Sequence, residues 1–233
     1  PGQTGYDVNC GVRLIVSDIK LNDFMKKRKE IMKSLGKDIP SGVGVKSGFS
    51  FSPKEIDLVL KNGVKWAFEK GFATKEDILR IEDEGCISGA DSSKVSARAK
   101  GRGMHQLGSL GAGNHFMEIG VVEEIYDKKT ANVFGVDSIG KVTFLIHSGS
   151  RGLGHQVASD YIKKMEEEYG FDKLPDRELA CAPINSELGK DYLSAMRGAA
   201  NFGFVNRQLL TFSLREIIKK YFPKNNLDLI YDI

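Results

Sequence analysis

The apolar and polar positions along this chain predict a series of strands and helices that intermix without strict alternation. Val12 to Val16 alternates weakly and predicts a strand. Asn22-Asp23 then offers a helix cap, with Phe24, Met25, Ile31, Met32 and Leu35 as the apolar face and Gly36 as the stop. Gly42 to Phe51 is rich in glycine and serine and predicts a loop. Ser52-Pro53-Lys54-Glu55 is a capping box with proline at the first helical position. It opens a helix through Ile56, Val59, Leu60, Val64 and Ala67 that ends at Gly71, and Thr74 to Ile81 predicts another. Strands are expected from His115 to Val122 and from Lys141 to Ile146, which leaves His147 at the carboxyl end of the second. Helices follow from about Gln156 to Tyr169 and from Leu188 to Tyr221, then a strand from Leu229 to Ile233. This pattern predicts an α+β fold, mixed sheets with flanking helices. Residues 1–233 make a single domain, with no repeat and no low-complexity tract.

Composition narrows the class only a little. At 41% hydrophobic and 28% charged residues, the chain matches neither a disordered nor a membrane-spanning composition. No apolar run approaches the roughly 20 residues of a membrane span. The net charge of +3 says little about partners. Three widely spaced cysteines, Cys10, Cys86 and Cys181, make no disulfide framework and suggest a reducing, cytoplasmic setting. Pro1 opens the chain inside a motif, and Leu229–Ile233 is a strand without its turn, so the sequence is expected to be an internal piece of a longer protein.

Chemistry concentrates in three places. Asp7-x-x-Cys10 pairs a hard carboxylate with a soft thiolate, a combination that suits a divalent transition metal once imidazole joins it. By itself the pair is more often a turn aspartate beside a buried thiol. His115 follows Gly111-x-Gly113-Asn114 and opens a strand, where it is either a rigidly held ligand or a histidine satisfied by backbone. Asn114 and Glu118 have the groups to bond a nucleobase or phosphate, and alternation puts Glu118 on the other pleat face from His115. The sharpest segment is His147-Ser148-Gly149-Ser150-Arg151-Gly152-Leu153-Gly154-His155. A histidine at a strand end followed by a glycine-rich turn into a helix gathers N–H groups, hydroxyls and a guanidinium, which together form an anion site. No acidic residue lies between Asp137 and Asp160, and none from Ser92 to Met117, where Lys94, Arg98, Lys100, Arg102 and His105 fall.

Other matches carry less. Gly135-x-x-x-x-Gly140-Lys141 resembles a P-loop, but Val142 stands where a hydroxyl would reach magnesium, and a strand follows where one should precede. Cys86 and Cys181 lack partners at ligand spacing. Lys26-Lys27-Arg28-Lys29 is most simply the wet face of a helix.

Four co-linear stretches then converge. They are Pro1-Gly2-x-x-Gly5-Tyr6-Asp7-Val8-Asn9-Cys10-Gly11-Val12-Arg13-Leu14; Gln106-Leu107-Gly108-x-Leu110-Gly111-x-Gly113-Asn114-His115-Phe116-x-Glu118; His147 to Gly154; and Ala199-Ala200-Asn201-Phe202 with Asn206-Arg207. Together they resemble the RtcB family of RNA-splicing ligases across essentially the whole chain. The resemblance implies an enzyme that joins RNA 3′-phosphate or 2′,3′-cyclic phosphate ends to 5′-hydroxyl ends, with GTP and two Mn2+ ions. By position, Asp7, Cys10 and His115 match ligands of one ion, and Cys10 and His147 those of the other, with the thiolate bridging. Asn114, His115, Phe116, Met117 and Glu118 match the guanylate-binding segment, and Ser148, Ser150 and Arg151 would meet RNA phosphate. An archease-type activating protein is the implied partner, and no membrane. The remaining metal histidine and the histidine that accepts GMP are expected beyond Ile233, so no catalytic acceptor is expected within these residues and the isolated chain should be inactive. Two competing classes are a dinuclear metal-dependent phosphodiesterase, which would need no GTP, and a non-catalytic RNA-binding module.

Overall fold

The computed structural model describes residues 1–170, 172 and 174–233. It bears out the α+β expectation with a four-stranded antiparallel sheet and helices around it. The strands are β1 (Gly11–Lys20), β2 (Phe116–Val121), β3 (Lys141–Ser148) and β4 (Leu227–Asp232), in the order β2-β3-β1-β4. Along β3 burial alternates: Val142, Phe144, Ile146 and Ser148 are buried, while Thr143, Leu145 and His147 take the other face. The register sets His147 between Phe116 of β2 and Val12 of β1. The end of β3 therefore lies beside the start of both neighbours, and this end of the sheet carries the site.

The helices are α1 (Leu21–Asp38), α2 (Pro53–Asn62), α3 (Val64–Glu69), α4 (Lys75–Ile78), α5 (Ala97–Gln106), α6 (Lys128–Val133), α7 (Arg151–Tyr169) and α8 (Glu187–Lys219). The capping box forms as expected: Ser52 Oγ accepts from Glu55 N, and the Glu55 carboxylate accepts from Ser52 N at 3.0 Å. Several boundaries differ from expectation. The first helix starts at Leu21 and runs through Gly36, and Met25 and Met32 stay 48% and 52% exposed. The helix expected to reach Gly71 breaks at Gly63, whose φ of 52° suits glycine and whose Cβ would sit 2.0 Å from Gly85 O. The helix after Thr74 stops at Ile78, and β1 extends to Lys20. Helices α5 and α6 lie outside the predicted elements; the buried positions of α5 are the small residues Ala99 and Gly103.

Helix α8 is the axis of the core. From Gly198 to Thr211 every residue is buried. A helix buried all round is usually apolar all round, yet this stretch holds Asn201, Asn206, Arg207, Gln208 and Thr211. Each is satisfied. Asn201 accepts from Ile87 N and donates to Leu60 O. Gln208 donates to Phe72 O and Asp77 Oδ2 and accepts from Arg13 Nη1. Asp232 on β4 is fully buried between two arginines, taking Arg13 Nε at 2.6 Å and Arg207 Nη2 at 2.6 Å. This network ties β1, β4 and α8 together. Truncating its carboxylate would strand two buried cations, a loss of about 3–5 kcal/mol.

Candidate metal centre

The loop before β1 is held from beneath. Arg207 donates to Asn9 O and Asn9 Oδ1, both at 2.9 Å, and Asn9 donates to Ala200 O. These bonds maintain Asn9 at φ 55°, a left-handed conformation that asparagine tolerates better than most residues. Gly11 follows; a Cβ there would lie 2.1 Å from Ile233 O and 2.7 Å from the Arg207 guanidinium. The chain thus turns sharply and presents Asp7 and Cys10 at the open end of the sheet.

Facing them are the two histidines. His115 immediately precedes β2, and its ring packs so close to Gly111 that a Cβ there would meet Nδ1 at 2.0 Å. His147 is next to last in β3, with the Phe116 ring edge-on at 5.5 Å.

Residues 105 and 137 positions apart meet here. Cys10 Sγ is 3.4 Å from His115 Nε2 and 3.3 Å from His147 Nε2, so the thiol stands between two imidazoles. His115 Nε2 is also 2.6 Å from Asp7 Oδ2. One donor atom each from Asp7, Cys10 and His115 falls within 4.8 Å of the others. Asp7 Oδ2 is buried and takes no hydrogen bond of good geometry, whereas Oδ1 accepts from Arg151 N at 3.0 Å and Ser150 Oγ at 3.2 Å. A carboxylate with one oxygen pinned and the other aimed at nitrogen and sulfur donors fits a cation. Separations of this size are of the order of the ligand–ligand edges around one ion with ~2.0–2.3 Å bonds.

The electrostatics agree with that fit. Burial opposes the Asp7 charge, but hydrogen bonding and charge from His115, helped by Cys10 and Ser150, hold its carboxyl below the usual carboxylate range. Burial and the Asp7 charge push the Cys10 thiol up, against a hydrogen bond from Asn114. Burial and then His115 pull the His147 imidazole down. At neutral pH the site holds a carboxylate, a protonated thiol and a neutral His147 imidazole. A divalent cation would favour the thiolate, and binding would release its proton.

The neighbouring residues sort by face. Asn114 is exposed and donates to Cys10 Sγ at 3.5 Å. Phe116, 41% exposed, and Glu118 share the face of His147, whereas Met117 points to the opposite face and lines an apolar cavity under α1. Ser148 is fully buried, and its Oγ accepts from Asn206 Nδ2 at 3.0 Å. Ser150 is fully buried on Asp7. Arg151 reaches Gly42 O with Nη2 at 3.2 Å and lies 3.4 Å from His115 Nδ1 with Nη1; its Nε has no partner.

The expected loop from Gly152 to Gly154 is instead the first turn of α7, which begins at Arg151. Its glycines serve close packing. A Cβ on Gly154 would meet Ser150 Oγ at 2.0 Å, and one on Gly152 would meet Gln106 Oε1 at 2.7 Å. Sequence reasoning gave no role to Gln106, which accepts from Gly152 N at 2.8 Å, or to Asn206. Asn206 Oδ1 accepts from Gly108 N and Ser109 N, and Nδ2 donates to Ser109 O, Ser148 Oγ and Gly149 O. The available signal was amides and a guanidinium set among small and apolar residues of a helix. A cavity of about 510 Å³ opens beside the centre, lined among others by Asp7, Arg102, Gln106, His115, Arg151 and His155. His105 is exposed on α5, away from this cluster, and Cys86 and Cys181 join no metal-like group among the described residues.

An α+β chain that gathers aspartate, cysteine and two histidines at one sheet end has the makings of a transition-metal protein. A family model described as "RtcB: tRNA-splicing ligase RtcB" matches residues 1–233, and the chain belongs to this family. It is 47% identical over 240 residues to a tRNA-splicing ligase RtcB of Methanococcus maripaludis, covering 100% of this chain and 50% of the relative. It is 46% identical over 239 residues to that of Pyrobaculum aerophilum, covering 100% of the chain and 49% of the relative. Against the protein of that name from Methanocaldococcus jannaschii it is 46% identical over 232 residues, 97% of the chain and 24% of the relative. The chain spans about half the length or less of these relatives. No helix among the described residues is long and apolar enough to cross a membrane.

Proposed function

We propose that these residues form part of the catalytic domain of an RNA ligase that seals RNA 3′-phosphate or 2′,3′-cyclic phosphate ends to 5′-hydroxyl ends, as in tRNA splicing and RNA repair. The reading includes GTP and Mn2+ as cofactors and a GMP-accepting histidine outside these 233 residues. What supports it most is the Cys10 thiol lying between the His115 and His147 imidazoles with Asp7 alongside. In this reading Asp7, Cys10 and His115 hold one ion, and Cys10 and His147 hold a second. Bound there, divalent metals would neutralise phosphoryl charge and favour in-line displacement.

The chain's own groups prepare that site. Ser150 and the Arg151 N–H fix one Asp7 oxygen and leave the other free. Asn114 steadies the sulfur. Phe116 packs edge-on against the His147 ring. Asn114, Phe116 and Glu118 line the approach from the β2 side, which we assign to the guanylate, with Met117 contributing backbone only. Arg151, which lines one cavity with Asn114 and His115, is assigned to an RNA phosphate, while the buried Ser148 and Ser150 hydroxyls position that turn. An archease-type activator and a cytoplasmic setting that keeps Cys10 reduced complete the reading.

The test uses the full-length protein with labelled RNA bearing a 3′-phosphate and a 5′-hydroxyl. Sealing that requires both GTP and Mn2+, with a labelled GMP adduct on a denaturing gel, is the expected result. Strand cleavage without GTP would instead identify a dinuclear phosphodiesterase.

A further inference from the structure

The cavity beside the metal centre contains two features that metal binding does not use. The first is Arg102. Its Nη1 donates to Gln156 Oε1 at 3.0 Å, and Gln156, 6% exposed, is itself fixed by donating from Nε2 to Asp160 Oδ1 at 2.7 Å. Arg102 is exposed, lines the cavity, and forms no ion pair among the described residues. A cation held in place by a buried amide, with no carboxylate of its own, is pre-organised for an anion. The second is His155, four residues beyond Arg151 on α7. It is exposed and lines the same cavity, and Tyr6 stacks on its ring with centroids 4.7 Å apart and planes 28° apart. Tyr6 is tethered by donating to Glu178 Oε1 at 3.2 Å. Tyr6 thus backs one imidazole face. Arg151, whose guanidinium is held by Gly42 O, lines the same space.

We propose that this cavity is a nucleotide subsite for the RNA strand: Arg102 takes a backbone phosphate, and the outer face of His155, backed by Tyr6, takes that nucleotide's base. The assignment rests on the ligase reading above. Single-stranded RNA is held by this pairing of phosphate cations with stacking platforms, and stacking is indifferent to base identity. The volume of about 510 Å³ suits one nucleotide unit rather than a duplex.

The experiment measures binding of a short fluorescent single-stranded RNA to the full-length protein by anisotropy, across a salt series. Arg102→Ala should weaken binding roughly tenfold and lower the slope of log affinity against log salt by about 1. Arg102→Lys should restore the slope but only part of the affinity. His155→Ala should weaken binding by roughly tenfold, and His155→Phe should retain it, because the platform survives. Strands made abasic at one position at a time identify the stacked base: at that position alone, His155→Ala should cost nothing further. The assignment is overturned if His155→Ala harms a fully abasic strand as much as an intact one, or if Arg102→Ala leaves the salt slope unchanged. An equal loss of affinity for GTP in both variants would give the subsite to that nucleotide and also overturn it. A wild-type protein that neither binds nor joins RNA would sink the ligase reading itself. One that joins RNA with variants that behave like wild type would sink this subsite alone.

Discussion

Two arginines, Arg207 and Arg151, grip the metal-centre loops from opposite sides, and they behave differently. Arg207 is fully buried, and its Nε, Nη1 and Nη2 all donate, to Asn9, Ser148 and Asp232. Arg151 is half-buried and sits at φ 54°, with Nη2 on Gly42 O, Nη1 at long range from His115, and Nε without a partner. A saturated guanidinium holds structure, because every donor is already committed. An unsaturated one in a strained backbone keeps capacity for a ligand. A related contrast separates Asn206 and Gln208 on α8, whose amides bond on both sides, from Asp7, whose Oδ2 lies beside His115 Nε2 without a hydrogen bond of good geometry.

Four outcomes would break or sharpen that contrast. The largest effect should come from Asp232→Ala, which leaves Arg13 and Arg207 buried without a carboxylate. Urea denaturation should show a loss of about 3–5 kcal/mol, and a loss below 1 kcal/mol would remove the network from its place in the fold. Cys10→Ser should lower Mn2+ affinity in calorimetry by at least about tenfold, since a hydroxyl is a poor ligand at neutral pH, while the melting temperature holds. Unchanged Mn2+ affinity would take the thiol out of the metal site. Arg151→Gly should go in opposite directions on two axes. Relief of the left-handed strain should leave stability equal or raised by about 1 kcal/mol, while RNA joining collapses. A destabilised variant would mean that Arg151 is scaffolding like Arg207.

The smallest effect concerns pH. Asp77 is buried beside α8, and although burial opposes its charge, Arg215, the Thr74 N–H and Arg13 hold its carboxyl below the usual range. A carboxyl depressed in the folded state contributes stability that is complete above its unfolded value of about 4 and is lost as pH falls through the folded one. Acid titration of stability should therefore steepen below pH ~4, and Asp77→Asn should flatten that limb. An identical acid limb in the variant would assign acid sensitivity elsewhere.

How far these features were legible in the sequence follows from how local their signals are. The capping box at Ser52 is written within four residues and formed as read. Asp7, Cys10, His115 and His147, the four candidate ligands, lie in glycine-flanked segments that resemble a known family, and the fold brings them together. The first turn of α7 and all of α5 were not legible, because their signal is close packing by small residues. Gly103 lets Leu153 and Phe202 approach so closely that a Cβ would lie 2.7 and 3.1 Å from them. Such contacts are long-range, and glycine in a window of sequence reads as a loop. The α5–α7 cavity was missed for the same reason: Arg102 and His155 become neighbours only once those two helices pack.

Asn206 couples two segments of the site. Its single amide holds the turn at Gly108–Ser109, just upstream of His115, and also Ser148 and Gly149, next to His147 and the Asp7 anchor. Both segments are therefore tied to one point of a buried helix. Whatever displaces that point displaces both together, and displacement held in common cancels in the distance between them. A shift of that anchor carries both histidine segments in the same direction. Coordination depends on that difference alone, so a strand end and the turn that leads into its neighbour can hold donor atoms to the tolerance a metal ion demands through one shared anchor.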